Sequence, residues 1–575
     1  MMRARDLGVL CALAVAGCAT HHKTGEDDTA ATLSISPAMS EVEILNGTPA
    51  TEDFTATLTY PDGTSRDVTA ESQFVIDSSY GVFTGPTLSI HAAGKVQVLA
   101  QWNDKTGDAQ VIAHVKDIRV DPSLPANTPD IFANGTEDPT TAPTIVYPPV
   151  GVVMPRNLGD FEVHWTDANA HDVFEVSLQT EFADVRAYVP GNNGDPAAGP
   201  DPSWMSFLAD EWLAAVGYET TVNFRVRGAS TTNPGIIGAG PPQTVKLTNE
   251  PMLGGLYYWA STAANNAPYG IFRHDMSMPG TPAEQYMTTA QAGRCVACHV
   301  LSRDGKEMAI TYDGGDKTAS MVDVMSSTRQ DLSNYWNFGT FTPDGTKFLS
   351  VSHGTLVVRN YADQSVLATM TAAGLVTHPD LSPDGTKLVY VRPNTYHADW
   401  TFDGGQIYWR TYDQATDTFG PEMPLVTDGQ NNYYPSWSPD GNWVLFNHAP
   451  LGGDAYNNAN ASLYVIKSDG SGPAMELATA DMAGGLTNSW GRWAPFQQTL
   501  GASNEPMYWV TVSSKRNFGV RLVNQGRPQI WMTPFFPNQA SSSLDPSNVA
   551  FRIPFQDIES NNHIAQWTEQ VIAPQ

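Results

Sequence analysis

Cysteine is scarce in this 575-residue chain: there are four, and Cys11 and Cys18 fall near its start. That leaves Cys295 and Cys298, so no pair remains for a long-range structural disulfide and stability must come from packed cores. Long apolar runs are also missing. The longest, Leu7 to Ala16, is too short for a permanent membrane helix. Positive charge is in deficit, with 31 Lys and Arg against 60 Asp and Glu and a net charge of −29. A balance of that sign disfavours nucleic acid and anionic lipid surfaces as partners. Catalytic signatures are lacking too: there is no G-x-S-x-G, zincin helix, Walker loop or convincing carboxylate pair. A hydrolase or lyase is therefore not supported.

The N-terminus carries an export signal. Arg3 and Arg5 precede the apolar run, and Val15-Ala16-Gly17 supplies small residues leading into Cys18. Val15-Ala16-Gly17-Cys18 resembles the lipobox of bacterial lipoproteins. The resemblance implies a signal peptide over 1–17, cleavage before Cys18 and lipidation of its thiol, with the membrane as a partner through that lipid. Ala19, where an Asp would favour inner-membrane retention, leans the expectation towards the outer membrane. An ordinary signal peptide with an incidental cysteine is the alternative. Residues 18–31 read as a tether, with His21-His22 solvated within it.

The remainder reads as all-β. Over 32–117, Phe54 to Tyr60 alternates apolar and polar residues and meets the turn Pro61-Asp62-Gly63-Thr64; Thr87 to His91 and Val96 to Ala100 repeat the pattern. Short, evenly spaced strands indicate a sandwich. The order of tyrosine, P-D-G-T, D-V-T-A and A-A-G-K-V resembles bacterial Ig-like domains. Residues 118–142, rich in Pro, Asn, Thr and Asp, read as a linker. Over 143–248, Phe161 to Trp165 and Thr221 to Arg227 alternate again, and the segment weakly resembles a fibronectin type III sandwich. Trp204 to Val216 is expected to hold a short helix.

From about residue 249 a passage repeats: Phe341-Thr-Pro-Asp-Gly345, Leu381-Ser-Pro-Asp-Gly385 and Trp437-Ser-Pro-Asp-Gly441, each between strand-like runs. Proline sets the first turn angle, while Asp and Gly supply the turn bond and positive φ. Leu301-Ser-Arg-Asp-Gly305 and Trp493-Ala-Pro-Phe496 are degenerate copies. Repeats of this period mean propeller blades. The copies resemble the TolB-type β-propeller over 249–575. Aligning the turns gives six blades, closed by strands around His563 to Val571; a seventh is counted if Leu253 to Tyr286 holds a blade of its own.

Cys295-Val-Ala-Cys298-His299 is C-x-x-C-H, the attachment pattern of c-type haem. Both thiols can reach porphyrin vinyl carbons, and the adjacent histidine falls beneath the iron. The alignment places Cys298 in register with Phe338, His378, Tyr434, Trp490 and His563, a ring at one end of the channel. The expectation is haem c on Cys295 and Cys298, His299 as proximal ligand, and His563 or His378 as distal ligand. Two roles follow. One is an envelope protein whose covalent haem serves electron transfer or redox or ligand sensing with a redox partner. The other is a non-catalytic protein- or glycan-binding lipoprotein in which Cys295 and Cys298 form only a disulfide.

Overall fold

The computed structural model describes residues 28–169, 171–191, 202–262, 269–314, 318–332, 335–452, 454–455 and 457–572. Cys11, Cys18, His21 and His22 lie outside them. Within the described residues no helix is long and apolar enough to cross a membrane.

The alternating segments form strands as their period demands. Gly94–Trp102 buries every second residue against the first core and pairs antiparallel with Lys105–Val120. The turn at Pro61-Asp62-Gly63 behaves as its residues require. Gly63 has φ +87° and donates its N–H to the Tyr60 carbonyl at 2.9 Å, and the Asp62 carboxylate accepts from the Thr64 N–H at 2.9 Å.

Lys105–Val120 is 16 residues long and belongs to both N-terminal units. Its last six residues run parallel to Ala183–Tyr188, joining the two units in one eleven-stranded sheet. The 118–142 stretch, expected as a linker, therefore holds the end of this strand, the helix Thr128–Asn134 and the strand Thr136–Asp138. Composition suggested a linker there, but apolar pairing overrides it: Phe132 is buried against Val173, Tyr188 and Ile237. The expected helix is also shorter than its segment. Pro202–Phe207 is a strand paired with Phe161–Thr166, and only Ala209–Val216 is helical. Trp212 anchors that helix; fully buried, it stacks on Phe161 at 4.6 Å and donates its indole N–H to the Arg156 carbonyl.

Residues 255–568 form six blade sheets in succession, with a small separate hairpin of Thr395–Ala398 and Thr401–Asp403. Ser560–Thr568 pairs with Gly255–Thr262, so the last strand completes the sheet that the first strands began. Leu253 to Tyr286 supplies three strands of this closing sheet, not a seventh blade. Each intact S/T-x-D-G turn is held alike. The Ser or Thr hydroxyl donates to the Asp carboxylate (Thr342 to Asp344 and Ser382 to Asp384, both 2.6 Å) and accepts the N–H that opens the next strand. Gly305, Gly345, Gly385 and Gly441 all take φ near +70°.

The second unit is packed onto the propeller. The excursion between Glu505–Ser514 and Gln529–Phe535 carries Phe518 and Arg521. Phe518 meets Tyr147 at 4.8 Å, and Arg521 pairs with Glu162 at 2.9 Å while lying over Trp204. Asn157 donates to the carbonyls of Met252 and Met276. One hydrophobic cluster runs from Leu33 through Trp212 to Phe551, so the three parts share a core.

Candidate functional site

The innermost strand of each blade is a sheet edge facing the central channel, and its free N–H groups must find partners. The sequence solves this locally. Thr340 Oγ1 accepts the Leu381 N–H of the next blade at 3.3 Å, and Asp380 Oδ2 accepts the Trp437 N–H at 2.8 Å. The indoles tie the blades the other way: Trp437 donates to the Asp380 carbonyl and Trp493 to the Ser436 carbonyl, both at 3.1 Å.

Most inner strands carry a bulge midway, with register breaks between Thr377 and Asp380, Tyr433 and Ser436, and Ser489 and Arg492. A bulge re-aims the side chain it carries. His378, Tyr434, Trp490 and Ile564 all adopt positive φ there, between +47° and +59°. That is uncommon for side chains of this size. His378, Tyr434 and Trp490 meet Phe338, and Ile564 belongs to the same buried cluster. Ring centroids are 4.1 Å apart for Phe338 and His378, 4.3 Å for His378 and Tyr434, and 4.5 Å for Tyr434 and Trp490. The result is an aromatic plug with a blind cavity at each end of the channel.

The cavity at the turn end measures about 150 Å³. One residue from each inner strand rings it: Val300, Thr340, Asp380, Ser436, Arg492 and Gln566. Burial pushes the Asp380 carboxyl up to about 6, a rise that nearby Arg492 restrains. Burial lowers the Arg492 guanidinium, which stacks on Trp490 at 4.6 Å. Trp567, in the same register as Trp437 and Trp493, donates its indole N–H to Thr511. The opposite cavity, about 310 Å³, includes Trp259, Trp490, Ser489, Ser513, Lys515 and His563 in its wall.

The C-x-x-C-H residues are only partly brought together. Cys298 lines the turn-end cavity and packs towards Trp336 and Phe348, whereas Cys295 lies outside the cavity wall. Both are free thiols, and burial pushes each pKa up. His299 is buried on strand Val296–Leu301, its pKa driven by burial down to about 3. Neither ring nitrogen makes a hydrogen bond of ordinary geometry among the described residues, the Tyr257 backbone offsetting burial only in part. His378 sits in the plug, where its Nδ1 accepts the Tyr434 N–H at 3.3 Å. The distal assignment to His563 depends on register, and here the structure differs by one residue. Ile564 occupies the plug position, while His563 faces the opposite cavity with Trp259 at 4.6 Å. The closing strand carries the same bulge as most other inner strands but lacks the P-D-G turn that sets their register, so alignment on turns places it one residue off.

As packed, these residues do not fit a haem. Cys295 precedes strand Val296–Leu301 and Cys298 lies within its bulged stretch, so only Cys298 of the two thiols borders the cavity. The aromatic ring expected to wall the macrocycle fills the channel instead. The disulfide alternative is not formed either. Cys295 and Cys298 are both free thiols in this structure. What sequence reasoning missed is Arg492, Asp380 and the Trp437, Trp493 and Trp567 series; the repeat alignment that found the turns also carried those positions.

No protein-family model matches the chain, and no curated protein matches it. Among solved structures it is similar to TolB from Acinetobacter baumannii, at 14% identity and a TM-score of 0.38, over 62% of this chain and 79% of that one. It is also similar to a putative TolB from Agrobacterium tumefaciens, at 11% identity and a TM-score of 0.31, over 55% and 99%. A third is the nidogen/laminin complex, at 8% identity and a TM-score of 0.35, over 55% and 100%.

Proposed function

We propose that this chain is an exported, lipid-anchored binding protein that grips a protruding segment of a protein partner at the turn-end mouth of its propeller. The observation that carries the reading is the aromatic plug, which makes the mouth a blind pocket and not a conduit. A cavity of about 150 Å³ is the size that holds one benzene-like group. Trp437, Trp493 and Arg492 stand around it, and Trp and Arg dominate the energetic centres of protein interfaces. The anchor rests on Val15-Ala16-Gly17-Cys18. A photo-crosslinker at Arg303, on the pocket rim, tests the binding role. One discrete adduct in cells is expected, lost in an Arg492→Ala/Trp493→Ala variant that still melts cooperatively. No adduct, or one the variant leaves unchanged, overturns the reading.

A second reading, covalent haem for electron transfer or sensing, is supported by the motif and by the unpartnered His299 ring. It requires the plug to part. A haem-stained band after denaturing electrophoresis would establish it, and an unstained band removes it.

A further inference from the structure

We propose that the cavity at the other end of the channel is a second binding site, for a small hydroxylated organic anion bearing a carboxylate or phosphate group. The site is built from residues of the last and closing blades on the far side of the plug, so it is separate from the partner-binding mouth. Ser489 and His563 are on inner strands, and Ser513 and Trp259 on the strands paired with them. Ser489 and Ser513 stand directly opposite each other in the strand ladder. They are 4% and 5% exposed, line the cavity, and neither hydroxyl has a hydrogen-bond partner among the described residues. A buried hydroxyl left unpaired is costly, so two at one cavity wall point to a polar occupant.

The charge of that occupant follows from Lys515, on the residue after the strand that carries Ser513. Its ammonium donates to the Asn457 side chain at 2.7 Å, and the described residues give it no ion pair. No carboxylate lines the cavity among the described residues, in a chain of net charge −29. One lone cation beside two hydroxyl donors is the donor set of an oxyanion. His563 adds no charge, since burial keeps its ring neutral, with His299 and Lys515 adding to the effect.

The rest of the cavity suits a hydroxylated body. Trp259 and Trp490 form part of the wall, pinned by indole N–H bonds to the carbonyls of Val296 at 2.8 Å and Ala565 at 3.2 Å. A volume of about 310 Å³ lies at the lower end of the range for small-molecule sites. A bare ion would leave most of it unfilled.

Three probes that share a pyranose ring test this by calorimetry on the whole exported chain: glucuronate, glucose 6-phosphate and glucose. Saturable binding of one or both anions and none of glucose is the expected result; which anion binds distinguishes carboxylate from phosphate. Lys515→Met should weaken binding at least tenfold without lowering the melting temperature, and Ser489→Ala/Ser513→Ala should weaken it several-fold. Glucose binding as tightly as the anions, an unchanged Lys515→Met affinity, or no anion binding up to about 10 mM overturns the proposal. Crosslinking at Arg303 reads the opposite mouth, so the two readings fail separately.

Discussion

Asp380 combines a structural bond with a carboxyl that burial pushes up to about 6 from an ordinary 3.8. Its raised pKa means that the folded chain holds a proton the unfolded chain has released between about pH 4 and 6. Stability from this residue is therefore fully present at low pH and is lost as pH rises through that window. A rise of about two units, at about 1.4 kcal/mol each, amounts to about 3 kcal/mol. Asp380→Asn isolates the effect, because the amide oxygen can still accept the Trp437 N–H while carrying no charge. Thermal unfolding of both proteins should show the variant melting a few degrees higher at pH 7.5, with the gap closing at pH 4. Carboxylates elsewhere titrate in both proteins and cancel in the comparison. A gap of the same size at both pH values would refute the reasoning, since it would mean that the proton plays no part.

Arg521→Ala strands the Glu162 carboxylate at the interface of the second unit and the propeller. Burial pushes that carboxyl up, but the His164 bond and the Arg521 charge outweigh burial and hold it at about 2. Breaking such a pair should cost about 3 kcal/mol, read as earlier thermal unfolding and faster proteolysis around residue 520. Gly519→Ala should cost at least about 2 kcal/mol by the same measurement, because φ is +49° and a new Cβ would stand 1.9 Å from His164 Nδ1. Gly526→Ala, with φ +64° and open space around it, should cost about 1 kcal/mol; equal effects would exclude a tight interface. With a thiol reagent at pH 8, Cys295 and Cys298, both half-buried and with pKa raised by burial, should react slowly in the native protein and fast in urea. Rapid native reaction of either contradicts the burial described above.

Much of the propeller was legible because its information is local. A turn such as Ser382-Pro383-Asp384-Gly385 fixes its own hydrogen bonds and φ angles, and repeated copies then count the blades. The ring around the plug was partly legible for the same reason, with Phe338, His378, Tyr434 and Trp490 placed at one level. The closing strand escaped because it has no turn of this kind to fix its register, although it carries the same bulge as most others: hence Ile564, not His563. The 118–142 stretch escaped for a different reason. Its Pro- and Asn-rich composition describes a linker, but Phe132 and Ile118 serve neighbours distant in sequence.

The C-x-x-C-H motif shows why spacing acquires chemistry only through backbone period. On a helix, a separation of three gathers both thiols and the next imidazole towards one face, where a flat group can lie. Here Cys295 precedes the strand Val296–Leu301, which carries Cys298 and His299. Cys298 and the buried His299 both border the turn-end cavity, and Cys295 stays outside its wall. Strain at His378, Tyr434 and Trp490, of the order of 1 kcal/mol or more each, goes into closing the channel at this level. A fold selected to hold a macrocycle there would leave that space open. The strained residues are better accounted for as a partition that lets one propeller present two separate pockets, one at each mouth.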